Sequence, residues 1–411
     1  MNRLKQLTKN NAKLRRIIRK IIFFLRRVRY NIRGIGVKTD EQLFLFSSFE
    51  GHNFADSPKA IYEYLKSSEE FADCRFVWCF EHPEKYRFLE ENKNTRVVKQ
   101  NSKECEICYK TAKYWILNHR VAVHRYPKKN QVFVQCWHGT PLKKLGFDID
   151  SGDNVINTQK ELCEKYLTDA KKYSYMLSPS PFATEKFISS FNLKAINKEN
   201  CIIQQGYPRN DFLFRYGEED ISRIKESLSL PKNKKVILYA PTWRDNQHQT
   251  GVGYTYKIEV DFEKLQKELQ NEYVILFRAH YFVSNSFDFE KYKGFVYNVS
   301  QIDDINELYI ISDILITDYS SVFFDYANLK RPIIFFMYDI EQYKNELRGF
   351  YIDLKELPGS IVENEGDLIE EIKKSDNFTY SETYRKFNEK FNLLDDSNAS
   401  KRVIDIITQK S

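Results

Sequence analysis

Residues 131–148 read Q-V-F-V-Q-C-W-H-G-T-P-L-K-K-L-G-F-D, and this stretch decides the fold class. Val132, Phe133 and Val134 form a short β-rich apolar run, which predicts a buried strand. The run stops at His138-Gly139-Thr140-Pro141. Gly139 permits backbone angles that other residues avoid, and Pro141 cannot continue a hydrogen-bonded ladder. His138 is therefore expected on a tight loop just past a strand's carboxyl end, where ligands bind in open α/β sheets. Lys143 and Lys144 follow at once and add positive charge. On this stretch alone, a hydrogen-bonded histidine in a strand-terminal turn explains the pattern as well as a reactive one does.

Four further apolar runs end in the same manner. Val236–Leu238 leads into Tyr239-Ala240-Pro241-Thr242-Trp243-Arg244-Asp245, and Tyr273–Phe277 into Arg278-Ala279-His280. Ile314–Ile316 leads into Thr317-Asp318-Tyr319-Ser320-Ser321, with Asp325 a helical turn beyond. Ile202–Gln205 leads into Gly206-Tyr207-Pro208-Arg209-Asn210-Asp211. A packed core does not require strands to finish in charged and hydroxylated residues, whereas a crevice that handles phosphate does.

The segments H-G-T-P-x-K-K-x-G, G-Y-P-R-N-D, A-P-T-W-R, F-R-x-H and T-D-Y-S-S-x-x-x-D, in this order, resemble the CDP-glycerol glycerophosphotransferase family. These are the teichoic acid primases and polymerases of bacterial cell envelopes. The likeness spans roughly residues 40 to 360. Tyr281 follows His280 where some members of that family have proline, which bears on the loop's shape and leaves the histidine in place.

A chain of 411 residues is too long for one ordinary core and suits two domains. The longest apolar run is the six residues Ile333–Tyr338, against the ~18–20 that a membrane helix needs. The amino terminus has neither the uninterrupted apolar stretch nor the cleavage site of a secretory signal. The formal net charge is +7, but residues 1–39 hold 13 Lys or Arg and no acid, leaving 51 basic against 57 acidic residues elsewhere. Leu4, Leu7, Leu14, Ile18, Ile21, Leu25 and Val28 recur at helical spacing among these cations. Residues 1–33 therefore predict a basic amphipathic helix, suited to lying in the plane of an anionic membrane surface. A helix packed on the protein body is the plainer reading. Nucleic acid is not expected, because the polar face lacks interleaved aromatics and the body is acidic.

The expected organisation has three parts. Residues 1–38 are the helix and a linker. Residues 39–225 form an amino-terminal α/β domain on the acceptor side, and 226–411 a carboxyl-terminal α/β domain on the donor side with a helical tail. Charged, turn-rich sequence at Gly217–Lys235 marks the join, Val322–Leu329 reads as a helix, and Asp245–Tyr254 reads as a polar loop. The fold class is α/β, with two Rossmann-like domains facing across a cleft in the GT-B manner, and the resemblance implies the same. The seven cysteines are scattered. Only Cys105-x-x-Cys108 has metal-like spacing, and no second pair completes it, so reduced thiols are expected.

Transfer of an alditol phosphate to a hydroxyl needs a base for the acceptor proton, and imidazole titrates near neutrality. His138 is the candidate, and the resemblance implies that role. His280 is the second catalytic candidate. The transferred phosphate must be held by donors. Arg278, Ser320, Ser321, Thr242, Arg244, Asp318 and Asp325 are expected around the donor phosphates. Gly139, Thr140, Lys143, Lys144, Arg209 and Asp211 are expected on the acceptor or cleft side. Each has a structural alternative: Arg278 as partner of Asp318 or Asp325, Ser320 as a helix cap, Arg209 as a brace. No cofactor and no metal site are expected, since Asp148-x-Asp150 lies outside the donor motifs. The resemblance implies CDP-glycerol or CDP-ribitol as donor, CMP as leaving group and a lipid-linked teichoic acid-like or capsular polymer, or its primer, as acceptor. It places the enzyme peripherally on the cytoplasmic face of a bacterial membrane. A nucleotide-sugar glycosyltransferase of the same architecture and a non-catalytic membrane-surface scaffold are the alternatives.

Overall fold

The structure is a computed structural model that describes residues 12–149, 159–242, 248–249, 253–254, 260–279, 287–340 and 349–409. It opens with helix α1 (Ala12–Arg33). Then come β1 (Asp40–Ser47), α2 (Asp56–Ser67), β2 (Arg75–Phe80), β3 (Thr95–Lys99), α3 (Lys103–Thr111), β4 (Ala112–Leu117) and β5 (Val132–Gln135). Next are α4 (Gln159–Ala170), β6 (Tyr175–Ser178), α5 (Pro181–Ser190), β7 (Ile202–Gln204) and α6 (Glu218–Ser227). The second half holds β8 (Lys235–Ala240), the two-residue strands β9 (His248–Gln249) and β10 (Gly253–Tyr254), α7 (Phe262–Leu269), β11 (Tyr273–Phe277) and β12 (Val296–Asn298). It continues with α8 (Ile305–Ile311), β13 (Ile314–Thr317), α9 (Val322–Tyr326), β14 (Ile333–Phe336), β15 (Ser360–Val362), α10 (Glu365–Lys374), α11 (Glu382–Phe391) and α12 (Ala399–Thr408).

Two sheets organise the chain. One has the strand order β3-β2-β1-β4-β5-β6-β7, the other β12-β11-β8-β13-β14-β15. The pairing is parallel from β3 through β6 and throughout the second sheet. This is the two-sheet α/β architecture that alternating strand and helix patterns predict. In both sheets the first strand of the half sits inside and the order reverses beside it, the arrangement that puts a crevice at the strands' carboxyl ends.

Residue contacts divide the chain into two compact units: 1–54, 62–137 and 167–176 form the first, and 55–61, 138–166 and 177–411 the second. The first has an aromatic core. Trp78 and Trp115 are fully buried, and Phe44 stacks on Tyr114 with ring centroids 4.3 Å apart. In the second, β8 feeds both faces of its sheet. Val236 and Leu238 pack with Phe323, Phe324 and Phe391, while Ile237 and Tyr239 pack with Phe262 and Phe277. A strand buried on both faces reads as a continuous apolar run, which is why these strands stand out in the sequence.

Local departures have local causes. The stretch expected as a join, Gly217–Lys235, contains α6, whose first turn carries Glu218, Glu219 and Asp220. Those acids complement the helix dipole and look like linker sequence only when read as charge. The helix expected over Val322–Leu329 is five residues of α-helix followed by a 3₁₀ turn, Ala327–Leu329, closed by Lys330 at φ 56°. Within Asp245–Tyr254 the described residues form the antiparallel pair β9–β10, and the others lie outside the description. Leu4 and Leu7 also lie outside it. Among the described residues no helix is long and apolar enough to cross a membrane.

Candidate functional site

The loop after β5 begins with a backbone exception. Trp137 adopts φ 53°, a left-handed conformation that costs a non-glycine residue about 1 kcal/mol or more and persists only when its surroundings impose it. Here Gln135, fully buried, imposes it: its Oε1 accepts the Trp137 amide at 2.9 Å while its Nε2 donates to the His119 carbonyl at 3.0 Å. The turn delivers His138 to the surface, where it is exposed, and Thr140 into the interior.

Within the second unit, this loop lies against the segment that follows β13. A Cβ on Gly139 would stand 2.7 Å from Ser321 Oγ, so any larger residue there would make the serine hydroxyl turn away. Downstream, Leu142 is buried in the core of that unit. Lys143 bridges to Phe350, the Lys144 amide donates to the Gly349 carbonyl at 2.8 Å, and the Tyr351 amide donates to the Leu142 carbonyl at 2.9 Å. Tyr351 Oη accepts the Leu145 amide at 3.1 Å and donates to Asp148, which also receives Ser189 Oγ at 2.6 Å. Burial, and then the Asp148 carboxylate, push the Tyr351 phenol above its ordinary range. Phe350 in turn stacks on Tyr319 at 5.9 Å. The stretches His138–Asp148, Asp318–Ser321 and Gly349–Tyr351 are thus tied together by short backbone and side-chain contacts.

The other sequence candidates fall into three groups. Asp318 accepts the Thr242 amide at 2.8 Å, joining the ends of β8 and β13. Ser321 occupies the N-cap of α9 without a side-chain cap bond, and Ser320 Oγ lies 3.5 Å from the Val322 amide, so both hydroxyls border the short helix. Arg278 pairs with neither Asp318 nor Asp325. Its Nη1 donates to the carbonyls of Ile302 at 2.6 Å and Val299 at 3.2 Å, and burial lowers its pKa. Arg244, His280 and Asp150 lie outside the described residues.

Arg209, Asp211 and Asp325 form a buried scaffold. The Arg209 guanidinium holds Asp325 through Nε at 3.1 Å and Nη2 at 3.0 Å, lies 3.6 Å from Asp56 and stacks on Tyr207 at 3.8 Å. Burial pulls its pKa down, and Asp325 and Asp56 more than reverse that, holding it well above the usual value. Asp211 accepts the Ala399 and Ser400 amides at 2.9 Å each and caps α12. Asn210 spans Asp325 at 3.0 Å and Asp395 at 2.6 Å. Burial pushes Asp395 up to about 7, against the Tyr207 amide and the Asn210 amide group, which favour its charged form. The brace is therefore the geometry of Arg209, and Asp325 is its partner.

The sequence reading passes over Tyr207, Asn210, Asp395 and Tyr351. Tyr207 and Asn210 sit inside G-Y-P-R-N-D, so the motif itself was the available signal. Among the described residues no group of three His, Cys, Asp or Glu is placed as a metal would require. Cys79 and Cys105 meet at 3.5 Å between sulfurs, both buried as free thiols.

The two-sheet α/β fold carries a histidine, two lysines and paired serines on the loops at its strand ends, a setting that suits group transfer. Residues 30–409 match the model of the family described as CDP-Glycerol:Poly(glycerophosphate) glycerophosphotransferase, and the chain belongs to that family. It is 40% identical over 368 residues to the teichoic acid poly(glycerol phosphate) polymerase of Bacillus spizizenii, covering 89% of this chain and 92% of that one. It is 40% identical over 377 residues to the teichoic acid glycerol-phosphate transferase of Staphylococcus aureus, covering 90% and 93%. Among solved structures, a histidine-to-asparagine variant of the wall teichoic acid polymerase TagF, soaked with CDPG, superimposes with a TM-score of 0.84 at 36% identity, covering 98% of this chain and 97% of that one.

Proposed function

We propose that the chain transfers glycerol phosphate, or ribitol phosphate, from CDP-glycerol or CDP-ribitol to a hydroxyl of a teichoic acid-like or capsular polymer, or of its lipid-linked primer. His138 accepts the proton of the attacking hydroxyl. The hydroxyl oxygen bonds to the phosphorus that carries the alditol, the phosphoanhydride bond to that phosphorus breaks, and CMP leaves with the bonding electrons. Ser320, Ser321 and the side chains of Thr242 and Arg278 serve the donor phosphates, with His280 and Arg244 in the same group. Lys143 and Lys144 supply positive charge as a second phosphate-bearing substrate approaches. The reading routes no step through a cofactor or a metal.

The observation that carries this reading is the contact between Gly139 and Ser321, which puts the histidine loop beside the paired serines. It is supported by the alignment of nearly the whole chain with proteins named as glycerol-phosphate polymerase and transferase. The test is calorimetric titration of CDP-glycerol into the full chain carrying Ser320→Ala and Ser321→Ala together. Losing two hydrogen bonds to a charged phosphate, at about 1.5 kcal/mol or more each, weakens affinity by about a hundredfold. Unchanged affinity removes the serines from the donor site.

The same reading places the enzyme peripherally on the cytoplasmic face of a bacterial membrane. Ile17, Ile21, Phe24, Leu25 and Ile32 of α1 are each more than half exposed, an apolar surface that a soluble helix would cover. Cations surround it, and among the described side chains Arg27, Tyr30 and Arg33, in the second half of the helix, tie it to the rest of the first unit. An in-plane helix on an anionic bilayer accounts for both features.

A further inference from the structure

The foot of α1 is packed among cations with few anions to face. Lys110 of α3 is buried and lays Nζ over the Tyr30 ring, 3.6 Å from its centroid. Gly34 makes room for it, since a Cβ there would stand 2.9 Å from Lys110 Cε. One turn earlier on α1, Arg27 stacks on Tyr126 at 4.4 Å, and Lys172 approaches the same ring at 5.1 Å. Lys128 donates to the Val37 carbonyl at 2.6 Å. Arg125, 3% exposed, stacks on Tyr109 at 4.5 Å, and its Nε has no partner. The neighbouring acids are engaged elsewhere: Glu106 with Arg33, and Asp169 with both Lys172 and Arg120.

An ammonium has three donors. Lys110 meets a ring face, and Lys128 one carbonyl. The crowding shows in the titration of Lys110, with burial the larger cause. Burial, with Lys128 and Arg27 close by, pushes Lys110 down to about 8, and burial with Arg125 pushes His124 down to about 4. His124 packs edge-on to Tyr30 at 5.8 Å, so one ring carries both effects. A bound anion would offset the repulsion among these cations. Apolar surface belongs to the same unit: the exposed side chains of α1, and Val123, 47% exposed on the loop that carries His124. A ligand with a phosphate beside acyl chains matches both features, and guanidinium and ammonium groups together suit a phosphodiester.

We propose that Arg27, Lys110 and Lys128 form a site for the phosphate of an anionic phospholipid headgroup, at the point where α1 joins the protein body. This rests on reading α1 as a membrane helix and adds a defined headgroup contact to it. The test uses the full chain with Lys110→Gln and Lys128→Gln together, and sedimentation with phosphatidylglycerol-containing vesicles. Affinity is expected to fall about tenfold or more, at roughly 1 kcal/mol for each charge lost. The thermal midpoint should hold or rise, because like charges are removed, and CMP release on a water-soluble acceptor should be unchanged. A control, Lys232→Gln with Lys293→Gln, removes equal charge from residues 91% and 81% exposed in the second unit and should bind vesicles as the parent does. Equal loss in the control overturns the site in favour of general charge. Vesicle binding that survives Lys110→Gln with Lys128→Gln but is lost in Ile21→Ser with Leu25→Ser and Val28→Ser also overturns it, while leaving the helix as the anchor. Saturation by glycerol phosphate or inorganic phosphate, with vesicle binding unaffected by the lysine exchanges, overturns the lipid assignment and gives the site to a soluble phosphate.

Discussion

Replacing His138 with alanine is expected to leave the protein folded and to slow CMP release by about 10²–10⁴-fold, the usual cost of losing a general base. The fold should survive because His138 is exposed while its neighbours carry the packing: Trp137, Thr140 and Leu142 are all buried. The loop geometry rests on Gln135, on the close approach of Gly139 to Ser321, and on the strand-like bridge to Phe350, none of which uses the imidazole. The loss should fall on kcat, since a base acts as the acceptor proton leaves and contributes little to donor binding. A purified, folded variant that keeps more than about a tenth of parental turnover would remove His138 from the role.

Arg209→Ala is expected to act in the opposite sense, on stability first. Arg209 and Asp325 are 5% and 7% exposed, so truncation strands a carboxylate in the interior. Breaking a buried pair from one side costs about 3–5 kcal/mol, because the remaining charge has lost its compensation. Asn210 still reaches Asp325 but carries no charge, and Asp395 lies on its other side, so the network offers no replacement cation. Urea unfolding should show the cost as a large drop in midpoint at unchanged slope. Combining Arg209→Met with Asp325→Leu should recover much of the loss, since the pair then leaves no orphaned charge. Turnover should fall in the single variant as well, because Asp325 lies one helical turn from Ser321. A cost under about 1 kcal/mol for Arg209→Ala would contradict the reading of this pair as the scaffold beneath the loops.

The parts legible in the sequence were those with local physical signatures. The apolar runs Tyr273–Phe277 and Ile314–Ile316 coincide with β11 and, to within one residue, β13. The helix at Pro181 begins as its cap sequence requires, with Ser180 accepting the Ala183 amide at 3.3 Å. The five strand-end motifs marked where buried runs end, but not which of their polar residues are structural: Arg209, Asp211 and Asp325 turn inward and brace the fold. Partnerships were not legible. Asp395 meets Tyr207 across 188 residues of sequence and Tyr351 meets Asp148 across 203, and no local pattern announces a contact at such separation. Arg209 reads alike as a substrate ligand or a brace until its burial is known. The shape of α1 was predicted from periodicity, but that its apolar side stays exposed while Tyr30 is buried is a fact of packing.

Product analysis tests the proposed reaction without intermediaries. The full-length protein would be incubated with CDP-glycerol, and separately with CDP-ribitol, in the presence of a lipid-linked acceptor ending in glycerol phosphate. CMP would be quantified while the acceptor is weighed by mass spectrometry. The expected result is CMP release in step with an acceptor heavier by whole alditol phosphate units, from at least one of the two donors. Absence of CMP from both donors, with UDP or GDP released from a nucleotide sugar under the same conditions, would contradict it.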